Sequence, residues 1–146
     1  MESHKLVRRV ERLSAFVRFL SAAQTEIRFS ALPVEQIVRR HSGELPFLER
    51  CARLCGEGTD FGNAWTEAVN CEALKEGFLK KDAELLKNFG SGFGASDTEG
   101  QLSHCGLYSS LFESSLKVAK EDEEKKSKLY LVLGICCGAA AALMFC

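Results

Sequence analysis

The final residues, Leu129 to Cys146, carry no charge, no side-chain amide and no proline. As a helix rising 1.5 Å per residue this run is about 27 Å long, close to the ~30 Å hydrocarbon core of a bilayer. A chain of 146 residues is too small to surround a helix that is apolar on every face. Lipid is therefore the expected environment. A signal peptide is excluded by position, since it would stand at the amino terminus with a cleavage site after it.

The apolar run continues, without a helix breaker, from a charged collar over Lys120 to Lys128. That collar in turn follows Leu102 to Ala119, where apolar residues recur at three- and four-residue steps. Ser96-Asp97-Thr98-Glu99 supplies a serine-x-x-glutamate start signal, whose side chains satisfy the amides of a first helical turn. One long helix is expected from there to the end, packing on protein first and lying in lipid afterwards. The chain divides into a cytoplasmic helical domain over residues 1–125 and a membrane anchor over 126–146. Lys125, Lys126 and Lys128 beside the span favour leaving the domain in the cytoplasm.

Ahead of that helix the periodicity is helical throughout. Leu6, Val10, Leu13, Val17, Leu20, Ala23 and Ile27 mark the apolar seam of a long first helix over His4 to Phe29. Ser30-Ala31-Leu32-Pro33 interrupts it, and a short helix follows to about His41. Pro46 restarts the chain into a helix reaching Leu54 or Cys55. Asp60 caps a fourth over Phe61 to Asn70. Residues 70–77 read equally as a loop or as irregular helix. Lys80 to Phe89 forms a fifth helix. No segment sustains the period-two alternation of a strand, so the expected fold is all-α: a compact six-helix bundle, with the last helix continuous with a transmembrane helix.

Charge and cysteine usage narrow the function. A net charge of −1 gives no bulk field for nucleic acid. Lys5, Arg8, Arg9, Arg12, Arg18, Arg28, Arg39 and Arg40 nevertheless crowd the first forty positions. They read as a solvated helix face or as a surface near anionic lipid or an acidic partner. The seven cysteines show no small-secreted framework, and a reduced, cytosolic setting fits them better. Cys51, Cys55 and Cys71, with His104, could furnish a zinc or thiol site, although a C-x3-C pair without a matching second pair is a weak signal.

The most conspicuous loop, Phe89-Gly90-Ser91-Gly92-Phe93-Gly94-Ala95, matches G-x-G-x-x-[GA] but follows a helix rather than a strand. A tight helix-to-helix turn is expected there, not a nucleotide cradle. His4, His41 and His104 have no motif-placed nucleophile beside them, so no enzyme and no cofactor is expected. The candidate partner-binding surface is the turn itself, with Gly90, Gly94, Ser96, Asp97, Glu99 and Gln101. In the span, Gly134, Gly138 and Ala142 form a small-residue face for homo-oligomerisation or for pairing with another membrane subunit.

The order of signals carries a resemblance: Glu26-Ile27, Leu32-Pro33, Phe61-x-x-Ala64-Trp65, Leu85-Leu86-x-x-Phe89-Gly90, then Gly94-x-Ser96-Asp97-x-x-x-Gln101 before a charged helix and a terminal span. From about Leu6 onward it resembles the stage III sporulation protein AB family. The resemblance implies a helical domain similar to the cytoplasmic domain of the type II secretion inner-membrane platform protein. It also implies membership of a membrane complex between mother cell and forespore, on the mother-cell side, beside a secretion-type ATPase and other membrane subunits. The role implied is non-enzymatic scaffolding; a tail-anchored thiol or metal-binding sensor is the alternative. Family members usually begin with a hydrophobic span, whereas Met1-Glu2-Ser3-His4-Lys5 precedes the first helix here. Either the start lies further upstream, or the tail alone is the anchor and the basic first helix lies near the membrane surface.

Overall fold

The computed structural model describes the backbone of residues 2–145 and the side chains of residues 4–126, 128 and 129. Among the described residues all regular structure is helical: α1 (Glu2–Phe29), α2 (Val34–Arg40), α3 (Pro46–Gly56), α4 (Phe61–Glu76), α5 (Lys80–Gly92) and α6 (Thr98–Phe145). Leu13, Leu20, Ala23 and Ile27 of the expected seam are buried, and so are Ala15, Phe16 and Phe19 between them. The buried face of α1 is thus wider than one seam because α1 is central. The Phe16 ring lies 5.9 Å from Phe47 of α3, 6.3 Å from Trp65 of α4, 5.7 Å from Phe89 of α5 and 4.7 Å from Phe112 of α6. One side chain meets rings from four other helices, in tilted and edge-on arrangements worth roughly 0.5–1.5 kcal/mol per pair beyond area burial.

The most extensive packing is of α6 along α1. Gly106 faces Gln24, whereas Lys120 and Glu124 border Val10, so the two helices run antiparallel. Phe112 and Ala119 bury the α1-facing side of α6. α4 and α5 cover the other side of the aromatic core, and Trp65 Nε1 donates to the Leu86 carbonyl at 2.7 Å.

Three expectations shift. α4 starts under the Asp60 cap, which accepts from Asn63 N at 3.2 Å, but it continues to Glu76 through the stretch left open between loop and irregular helix. α5 runs past Phe89 to Gly92, so Gly90 is helical and not part of a turn. A Cβ at Gly90 would overlap the Trp65 ring, and one at Gly92 would overlap His104. These glycines serve close packing.

The third shift concerns the arginines. Arg9 is 3% exposed and grips the buried carboxylate of Asp82 through Nε at 2.8 Å and Nη2 at 3.0 Å. Arg12 donates to the carbonyls of Glu76 and Glu44, and Arg8 to that of Lys75. These three side chains tie α1 to the α4–α5 turn instead of forming a solvated or lipid-facing stripe. Carbonyls at the end of α4 lack helical partners, and guanidinium groups satisfy them.

Among the described residues, no helix is long and apolar enough to cross a membrane. The expected span, with Gly134, Gly138 and Ala142, lies where side chains fall outside the described residues.

Candidate docking groove

Two connections meet at the end of the bundle where α6 begins. The first closes α1: Ser30 N and Ala31 N both donate to the Glu26 carbonyl at 2.9 Å, and Ala31 turns to a φ of 52°. A non-glycine residue in the left-handed region holds strain of order 1–3 kcal/mol, and such strain concentrates at functional surfaces. Pro33, with φ −59° and ψ 149°, then leads into α2.

The second connection joins α5 to α6. Gly94 has a φ of 86°, which excludes most side chains, and a Cβ there would also press on Val34. Asp97, rather than Ser96, caps α6: its Oδ1 accepts from Gly100 N at 2.8 Å. Ser96 Oγ instead accepts from Gln101 Nε2 at 3.3 Å. Gln101 latches the loop from below, for its Oε1 takes Gly94 N at 2.7 Å and its Nε2 also reaches the Gly92 carbonyl at 3.3 Å.

Between the connections lies an open groove of about 330 Å³. Ile27, Leu32, Pro33 and Val34 give it an apolar wall, while Glu35, Ser96, Thr98 and Gln101 give it a polar one. Phe29 stands 78% exposed two residues before Ala31. A concave surface with one apolar wall, few polar groups and an exposed aromatic suits a protein segment.

Of the expected partner-binding residues, Gly94, Ser96 and Gln101 line the groove. Asp97 and Glu99 are exposed beside it. Gly90 is buried under Trp65 and is removed from the surface, and Gln101 is 5% exposed, so it shapes the loop instead of projecting from it. The apolar wall comes from residues outside that turn. Its signal was the helix break at Ser30 to Pro33, but nothing local says that this break meets the glycine-rich turn.

Nearby, burial alone would raise the Glu26 carboxyl; the charge and hydrogen bond of Arg40, with bonds from His41 and Ser30, bring it below the ordinary carboxylate range. Arg40 Nη1 stands 3.1 Å from Glu26 Oε2. This pair ties α2 to the end of α1 and so fixes the apolar wall.

The alternative thiol or metal site fares poorly. Among the described residues no group of three or more His, Cys, Asp or Glu is placed to hold a metal. His104, once a candidate ligand, stacks on Phe89 with ring centroids 5.1 Å apart, and its Nε2 lies 2.7 Å from the Phe89 carbonyl. Burial pushes the Cys51 thiol far up, with smaller contributions from Cys55 and Glu35, and raises Cys105 to about 11. Redox-responsive thiols need the opposite, a stabilised thiolate.

Fold and groove together define an all-α protein built around one aromatic core, with an open groove at the end where α6 begins. The chain belongs to the stage III sporulation protein AB family, whose family model matches residues 1–146, and is thereby a protein of sporulation. Its fold is similar to a solved structure of stage III sporulation protein AB (SpoIIIAB), with a TM-score of 0.71 and 18% identity over 81% of this chain and 98% of that one. No curated protein matches the sequence.

Proposed function

We propose that the chain is a non-enzymatic platform subunit of a membrane complex formed during sporulation, and that its groove docks a cytoplasmic secretion-type ATPase. In this reading residues 126–146 are a single-pass anchor and residues 1–125 stand in the cytoplasm on the mother-cell side. Gly134, Gly138 and Ala142 then pack against another membrane subunit or a second copy. The observation carrying the reading is the continuity of α6, which borders the groove at Thr98 and reaches Phe145 without a break. From Thr98 to Leu129 it spans about 46 Å. A partner in the groove would thus be held one helix length from the apolar tail.

The anchor is tested by alkaline extraction of membranes from sporulating cells. Retention of the full chain in the membrane pellet supports it, and release into the supernatant removes it. Docking is tested by co-purifying the ATPase with the full chain carrying Val34→Asp or Ser96→Arg. Undiminished recovery of the ATPase with both variants would exclude the groove as its site.

A further inference from the structure

We propose that the α4–α5 turn is a second membrane contact, a basic and apolar patch resting on anionic lipid headgroups beside the point where α6 leaves the bundle. The inference rests on the membrane reading of the tail, but the patch is observed independently. Leu74 is 52% exposed and Leu79 45% exposed. They flank a recess of about 250 Å³ that Lys5, Arg8, Gly77 and Phe78 complete. Lys5 lines it, and Lys75, Lys80 and Lys81 adjoin its lining residues Leu74 and Leu79 in the chain; all four lysines are exposed, and among the described residues none of the four makes an ion pair.

Location selects lipid as the occupant. Arg8 and Arg12 bind the carbonyls of Lys75 and Glu76, which fixes the turn at the amino-terminal end of α1. Val10 of that end borders Lys120 and Glu124 of α6. The turn is therefore level with residues about 8 to 14 Å of helix short of Leu129. The headgroup layer occupies roughly the first 5–8 Å outside the hydrocarbon, and long lysine side chains close the remainder. Exposed leucines beside lysines suit the outer headgroup layer, where ammonium groups meet anionic oxygens and the apolar side chains lie against the headgroups. The acids Glu123 and Glu124 border Val10, which lies on a different face of α1 from Arg8, so they do not neutralise the patch.

The same contact fixes tilt. A bundle held by one helix can swing, whereas a bundle touching the surface at a second point presents its groove in one direction.

The test uses the full chain reconstituted into neutral phosphatidylcholine vesicles and into vesicles with about one-third phosphatidylglycerol. Amine acetylation is read residue by residue by mass spectrometry. On anionic vesicles Lys75, Lys80 and Lys81 are expected to react about fivefold more slowly than on neutral ones, with Lys117 unchanged and the protection lost in high salt. Lys80→Gln with Lys81→Gln should abolish the protection of Lys75 while Trp65 fluorescence stays native. Equal rates on the two vesicles, or protection that survives both high salt and the double substitution, would overturn the proposal. Retention after an alkaline wash is scored in the same samples. Failure of the anchor and failure of the patch are therefore separate readouts.

Discussion

Glu76 should make this protein less stable as pH rises through neutrality, and Glu76→Gln should remove that loss. The carboxyl is 3% exposed at the end of α4; Oε2 accepts from Phe47 N, in the first turn of α3, at 3.0 Å, while Oε1 has no hydrogen-bond partner. Burial raises its pKa from 4.5 to about 7, against the lowering influence of the Phe47 bond and of Arg12. The folded state thus keeps a proton that the unfolded chain has already released between these values, so stability falls with increasing pH across that window. The displacement corresponds to at most about 3 kcal/mol, reached near pH 8 and absent below pH 4. Glutamine keeps the oxygen that accepts from Phe47 and replaces the orphaned, ionisable Oε1 with a neutral group. Chemical unfolding of the full chain in mild detergent, followed by Trp65, measures the effect. Trp65 is the single tryptophan and is 1% exposed, so its emission reports the core. The variant should match wild type at pH 4 and exceed it by about 2–3 kcal/mol at pH 8. A wild-type stability that is flat or rises between those values, or a variant equally destabilised at both, would refute the reasoning.

Three further outcomes are expected. Gly90→Ala forces a methyl into the Trp65 ring and strains the bond to Leu86, so it should cost about 1–3 kcal/mol and red-shift the tryptophan emission. Arg9→Met leaves Asp82 buried without its cation and should cost about 3–5 kcal/mol; adding Asp82→Asn, which can still accept from Leu79 N, should recover much of that in a double-mutant cycle. Gln101→Ala removes the latch on Gly94 and should cost about 1–2 kcal/mol by denaturant melt. It should also weaken ATPase recovery by more than that loss explains, because the groove wall is released.

The sequence reveals the helices more clearly than what they bury. Leu13, Leu20, Ala23 and Ile27 follow from spacing alone, but Phe16, the centre of the core, sits off that seam and becomes visible only when four neighbours surround α1. The last turns of α4 were illegible because the inward residue there is a glutamate, which reads as solvent-facing until Phe47 N is seen against it. Gly90 and Gly92 read as turn residues for a related reason: a glycine makes room equally for a positive φ and for a neighbouring ring, and the Trp65 and His104 rings come from other helices. The groove was half legible. Gly94, Ser96 and Gln101 come from one local turn, whereas Leu32, Pro33 and Val34 reach them only through the antiparallel packing of α1 and α6.

The polar interactions are distributed unevenly, and the distribution bears on function. At the tail end, Arg8, Arg9 and Arg12 lock α1 to the α4–α5 turn with four hydrogen bonds, two of them in a buried bidentate pair, and a fifth from Arg12 reaches the Glu44 carbonyl ahead of α3. At the groove end, the loop before α6 hangs on one glutamine side chain and one aspartate cap, and the facing loop holds a left-handed alanine. Local opening follows the weakest closure, so the groove can adjust to an incoming segment without loosening the core or the tail end. A firmly bonded base and a more lightly bonded tip, joined by a single helix through both, are what the proposed docking role calls for.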